Sequence, residues 1–151
     1  MCSSDLDVLC ECALAILSLL LRRRIPVSTV SHSRQREVRP GRSLADLEDF
    51  HRWLATVPFD ARPSLADQLA AEAGTLAGVR SLVLVTTRLE PSALPILLDL
   101  KRRVTVSCVM ACPAAADGDE PDLAARFRQA DLPAVFVHEG EDLERVLEDR
   151  S

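Results

Sequence analysis

The chain is expected to fold as an α/β domain with a mostly parallel sheet and helices on both faces. Three observations carry that expectation. Short β-branched runs alternate with helical segments along most of the 151 residues. The run Leu82-Val83-Leu84-Val85 is apolar without alternation, as a parallel strand covered on both faces must be. The composition is 48% hydrophobic and 27% charged, which suits one globular domain with a buried core.

The first helix is expected over residues 8–23. From Val8 to Leu21 its apolar positions lie nearly all round, so it should be covered on most sides. The stretch is shorter than the ~20 apolar residues that a membrane span takes, and Glu11 interrupts it. Arg22-Arg23-Arg24 then meets the carbonyl end of the helix dipole. Ile25 to Ser31 is β-branched and alternating, a strand that begins at a proline. Glu37 to Pro40 offers it a short partner at a sheet edge.

Pro40-Gly41-Arg42 turns the chain into a helix from Ser43 to about Thr56. Ser43 and Asp46 stand at capping-box spacing. Leu44, Leu47, Phe50, Trp53, Leu54 and Val57 form its apolar stripe. Ser64 and Asp67 repeat the capping spacing for a helix to about Ala73, with Gly74 and Gly78 marking its end and the turn beyond. Strand–helix units follow. Ser81 to Thr86 is a strand. Pro91 to Lys101 is a helix, with both prolines near its first turn. Val104 to Met110 is the next strand and Pro113 to Pro121 a loop. Asp122 to Ala130 is a helix, Ala134 to His138 a strand, and Glu141 to Glu148 the closing helix.

Several of these segments, taken together, resemble the C-terminal part of the domain of unknown function 58 family. They are Leu9 through Pro40-Gly41-Arg42, Leu47 to Val57, Leu82-Val83-Leu84-Val85-Thr86 and Gly140-Glu141-Asp142-Leu143. Domains of that family are similar to von Willebrand factor A domains, with a Rossmann-like sheet. The resemblance covers nearly everything after Leu6 and rests on element order and short phrases. It implies a bacterial protein with two N-terminal membrane helices, a small β-rich region and the A-like domain on the cytoplasmic side. It implies a protein partner, a MoxR-type AAA+ ATPase, and an adaptor role in complex assembly. It further implies that the first, central strand of the sheet lies before this chain, together with the metal-site Asp-x-Ser-x-Ser. The strands near Ile25 and Ser81 would flank that strand. Met1-Cys2-Ser3-Ser4-Asp5-Leu6 agrees, because it matches the translated end of a sequencing adapter read from a GTG start. Residues 1–6 are therefore expected to be an artefact, and 7–151 a partial A-like domain of low stability on its own.

The chemistry read from the residues is mostly exclusion. A formal net charge of −5 argues against a general nucleic-acid binder, which needs a basic face. The five cysteines, Cys2, Cys10, Cys12, Cys108 and Cys112, show no zinc-site spacing and are expected as free thiols. An A-like metal site draws hard oxygen ligands from three loops. Ser64 stands where the second loop would offer a hydroxyl, although a helix cap explains it better. The third loop would read Thr-Asp-Gly after its strand. Here Thr86-Thr87-Arg88 replaces the carboxylate with a hydroxyl and adds a fixed positive charge. No metal or cofactor is expected.

No nucleophile elbow, Walker A loop or dinucleotide fingerprint occurs. Cys108 or Cys112 would become a candidate nucleophile only beside one of His32, His51 and His138. Asp117-Gly118-Asp119-Glu120 lacks the length of a calcium loop and reads as solvated. The expected function is therefore non-catalytic protein interaction. Ser64, Thr86, Thr87 and Arg88 are the candidate partner-binding residues, with the loop from Pro113 to Pro121 beside them. The alternative is a small-molecule-binding or hydrolytic α/β domain whose essential residues lie upstream.

Overall fold

The computed structural model describes residues 3–32, 35–57, 64–76, 78–87, 89, 91–112, 120–138 and 141–148. The chain forms two units, one of Met1–Arg62 with Glu141–Ser151 and one of Pro63–Gly140.

The first unit begins with α1 (Ser3–Arg22), which starts ahead of the apolar stretch and takes in Ser3 to Leu6. Val8, Cys12 and Ile16, then Leu17 and Leu21, are buried. They form two rows at i,i+4 spacing, so the covered side is broad. The helix closes in a Schellman turn. Arg24 takes a φ of 58°, and the Ile25 N–H donates to the Leu20 carbonyl at 3.0 Å. Glycine normally fills that left-handed position because it has no Cβ to crowd.

β1 (Val27–His32) and β2 (Arg36–Gly41) form an antiparallel hairpin, with Val30 opposite Val38 and Val27 opposite Gly41. A 3-10 turn at Leu44–Asp46 leads into α2 (Leu47–Thr56). The Asp46 carboxylate accepts the Arg42 N–H at 2.7 Å and the Ser43 N–H at 3.3 Å, as the capping spacing predicts. Phe50, Trp53 and Leu54 of α2 are buried and cluster with Leu17 and Leu21 of α1. Leu44 departs from the expected stripe and is 49% exposed. The tighter turn rotates it out of phase with the helix that follows. Gly41 is required here, because a Cβ on it would strike the Phe50 ring and come within 3.2 Å of Val27. α6 (Leu143–Glu148) completes the unit, with Asp142 Oδ1 accepting the Arg145 N–H at 3.3 Å. Arg22 pairs with Glu144 at 3.0 Å. Both side chains are about half exposed, so the pair adds little stability.

The second unit runs α3 (Leu65–Leu76), β3 (Ser81–Thr86), α4 (Ala93–Lys101), β4 (Thr105–Cys112), α5 (Glu120–Gln129) and β5 (Ala134–His138). The strands form a parallel sheet in the order β3-β4-β5, a Rossmann-like α/β arrangement flanked by helices. α3 passes through Gly74 instead of ending there, and the turn falls at Gly78, whose N–H donates to Thr75 O at 3.2 Å. Pro91 lies in a turn before α4. Glu120 and Pro121, expected in a loop, already belong to α5, whose first turn tolerates a proline. The rest of that expected loop, 113–119, lies outside the described residues.

Leu82, Leu84, Val106, Cys108, Met110, Ala134 and Phe136 share one face of the sheet. They pack with Leu69 and Leu76 of α3, Leu97 and Leu100 of α4, and Phe127 of α5. Phe127 meets Phe136 edge-on, with ring centroids 6.2 Å apart. The other face carries Val83, Val85, Val109, Val135 and Val137, of which Val109 and Val137 are buried. α5 also ends in a Schellman turn, with Asp131 at a φ of 53°. Lys101 Nζ steadies that turn by donating to the Ala130 and Asp131 carbonyls at 3.0 and 2.8 Å.

Candidate functional site

In a parallel sheet the strands' C-terminal ends are the usual binding edge. Thr86 closes β3 there, opposite the buried Met110 of β4, and the half-buried Thr87 follows it. Arg88 lies outside the described residues. Ser64 sits at the start of α3, where its Oγ accepts the Asp67 N–H at 3.2 Å. The hydroxyl serves as the helix cap that the spacing predicts. Thr86 and Thr87 are thus brought together at a strand end, while Ser64 is held by its helix.

The thiols divide by burial. Cys108 is 1% exposed and faces the helix-covered side of the sheet. Burial pushes its thiol up to about 11, so it stays neutral at ordinary pH. That removes it as a candidate nucleophile. Cys12 is fully buried and Cys10 half-buried, with Cys10 Sγ 3.9 Å from the Leu54 carbonyl. Burial, then the charges of Asp7 and Glu11, also push Cys10 up.

The strand register makes Cys112 and His138 direct Cα partners at the ends of β4 and β5. His32 and His51 belong to the other unit, on β1 and α2. Among the described residues, no three His, Cys, Asp or Glu side chains gather as metal ligands. Asp117 to Asp119 lie outside the described residues.

The first unit holds a cluster that spacing alone does not reveal. Trp53 Nε1 donates to Glu37 Oε2 at 2.9 Å. The Arg39 guanidinium lies over the indole, 5.8 Å from its centroid, and 4.0 Å from the same carboxylate. Strand alternation puts Glu37 and Arg39 on one face of β2, but their meeting with Trp53 depends on how the hairpin packs on α2. A cleft of about 530 Å³ opens beside them, with Asp46, Asp49 and Arg52 on its rim. Its charges are already engaged. Arg52 reaches Glu48 at 2.6 Å, and Asp46 is held by backbone N–H groups. A charge-balanced cleft of this kind has no excess field to draw an ionic ligand.

Among the described residues, no helix is long and apolar enough to cross a membrane. No protein-family model matches the chain, and no curated protein matches it.

Proposed function

We propose that the chain is a non-catalytic protein-interaction domain that receives its partner at the C-terminal end of the parallel sheet. One observation carries this reading. Thr86 and Thr87 lie at a parallel strand end, while Cys108, one of the two thiols of the sheet, is buried and neutral. Polar hydroxyls at the binding edge over an inert interior suit recognition better than bond-making.

The parallel β3-β4-β5 sheet with its flanking helices is compatible with an A-like domain. On this reading the full-length protein is bacterial and its domain faces the cytoplasm at the inner membrane. It acts as an adaptor for a MoxR-type AAA+ ATPase, with Ser64, Thr86, Thr87 and Arg88 around the contact.

Affinity capture tests the proposal. The tagged chain is incubated with a purified MoxR-type ATPase, alongside a Thr87→Glu variant. The reading expects retention of the ATPase by the unmodified chain and loss of it with the variant. Failure of the unmodified chain to retain the ATPase would count against it. The alignment of Cys112 with His138 favours a second reading, a small-molecule-binding or hydrolytic α/β domain with further essential residues upstream. Hydrolysis of an ester by a longer gene product, lost on His138→Ala, would select it.

A further inference from the structure

We propose that a groove in the first unit, between α1, α2 and α6, binds a small aliphatic amine with its ammonium beside Ser18 and Glu144. The groove encloses about 520 Å³, within the range of small-molecule sites. Leu14 and Ala15 of α1, with Leu44 and Leu47 at the start of α2, form its apolar walls. Leu44 is the side chain that the tighter turn sends outward, and the groove is where it goes. Ser18 lies on the same face of α1 as Leu14, one turn further on. It is 8% exposed, and among the described residues no group bonds to its hydroxyl. The oxygen is not sealed away, because no sealed side-chain oxygen among the described residues lacks a partner. Its open side therefore gives onto the groove that it lines. A buried hydroxyl with no protein partner takes its hydrogen bond from whatever enters.

The sign of the ligand follows from the ionic groups. Glu48 and Glu144 line the groove, and their arginine partners do not. Arg52 holds Glu48 at 2.6 Å and Arg22 holds Glu144 at 3.0 Å, each from outside the lining. Both pairs thus turn a carboxylate toward the groove, and each carboxylate keeps lone pairs for a second donor. His51, the other titratable group of the lining, offers an acceptor when neutral. The cleft beside Trp53 differs, because Arg39 and Arg52 balance Asp46 and Asp49 there. A groove with two carboxylates and no guanidinium favours a cation and repels an anion. Ser18 stands one turn before Arg22, which holds Glu144, so the hydroxyl and that carboxylate share one end of the groove. Leu14 and Ala15 lie a turn away from that end and take the aliphatic body. The site belongs to the first unit and does not depend on the partner contact proposed for the second.

Titration calorimetry of the 151-residue chain with octylamine, octanol and octanoate at neutral pH tests the inference. Octylamine should bind saturably and about tenfold more tightly than octanol, with octanoate weaker still. Ser18→Ala should weaken octylamine binding by about fivefold, the loss of one hydrogen bond. Glu144→Gln should narrow the preference for octylamine over octanol. Leu44 is half exposed, so Leu44→Lys should keep its far-ultraviolet circular dichroism and lose octylamine, because its own ammonium competes for the carboxylates. No saturable binding of octylamine overturns the proposal. So do equal binding of the three compounds, or undiminished binding by Ser18→Ala or Leu44→Lys. Capture of a basic amphipathic peptide without any binding of octylamine also overturns it, in favour of a protein partner.

Discussion

Raising the pH should remove stability that Cys108 contributes. Its thiol moves from 9.0 to about 11 in the folded chain because burial disfavours the thiolate. Below the lower value both states hold the proton, and stability is unaffected. Above it the unfolded chain releases the proton while the folded chain keeps it, so stability falls until the higher value is passed. Two pH units at about 1.4 kcal/mol each give a loss of about 2.7 kcal/mol. The residue is 1% exposed, so solvent screening discounts little of this.

The assay is urea unfolding of the unmodified chain and of Cys108→Ala between pH ~8 and ~11. Any other group that titrates in this range is common to both proteins and cancels in the difference. The substitution also removes packing, but that offset does not vary with pH. The gap between the two proteins should therefore shrink by about 2.3 kcal/mol between pH ~8 and ~11, most of the full loss. A constant gap would refute the reasoning and return Cys108 to the list of candidate nucleophiles.

Three further outcomes follow from local geometry. Arg24→Gly should stabilise the first unit by about 1 kcal/mol in thermal unfolding, because glycine relieves the left-handed position that ends α1. Gly41→Ala should destabilise that unit by about 1–3 kcal/mol, since the new methyl meets the buried Phe50 ring, and near-ultraviolet circular dichroism should report the disturbed Trp53 environment. The Arg42 N–H, then that of Ser43, hold the Asp46 carboxyl below its ordinary 3.8. Its contribution is present above that value and fades as pH falls through the lowered one, so Asp46→Asn should flatten the acid limb of the unfolding midpoint.

Much of the fold is legible in the residues because unbroken apolar runs of strand length mark the parallel strands, although β3 is covered on one face only, with Val83 37% exposed on the other. The bounds of β3 and β5 follow from Ser81 to Thr86 and from Ala134 to His138. Ser43 with Asp46 and Ser64 with Asp67 mark helix starts, since the first N–H groups of a helix lack partners along the chain. The exceptions have tertiary causes. α3 continues through Gly74 because Leu76 is buried in the core of the second unit, which outweighs the roughly 1 kcal/mol that a helical glycine costs. Leu44 turns outward because the chain enters α2 through a tighter helix whose period differs from 3.6 residues.

The candidate site divides in the same way. Thr86 and Thr87 are placed by the end of a strand, which the residue pattern shows. The contacts among Trp53, Glu37 and Arg39 join a hairpin to a helix, and no spacing within either encodes them. The burial of Cys108 likewise comes from α3, α4 and α5 together.

Hydrogen–deuterium exchange of the chain with and without a MoxR-type ATPase tests the central claim most directly. Partner docking at the C-terminal end of the parallel sheet predicts new protection at Thr86 and Thr87 and at the start of α3 around Ser64, with the hairpin of the first unit unchanged. Protection confined to the hairpin, or none at saturating ATPase, would contradict it.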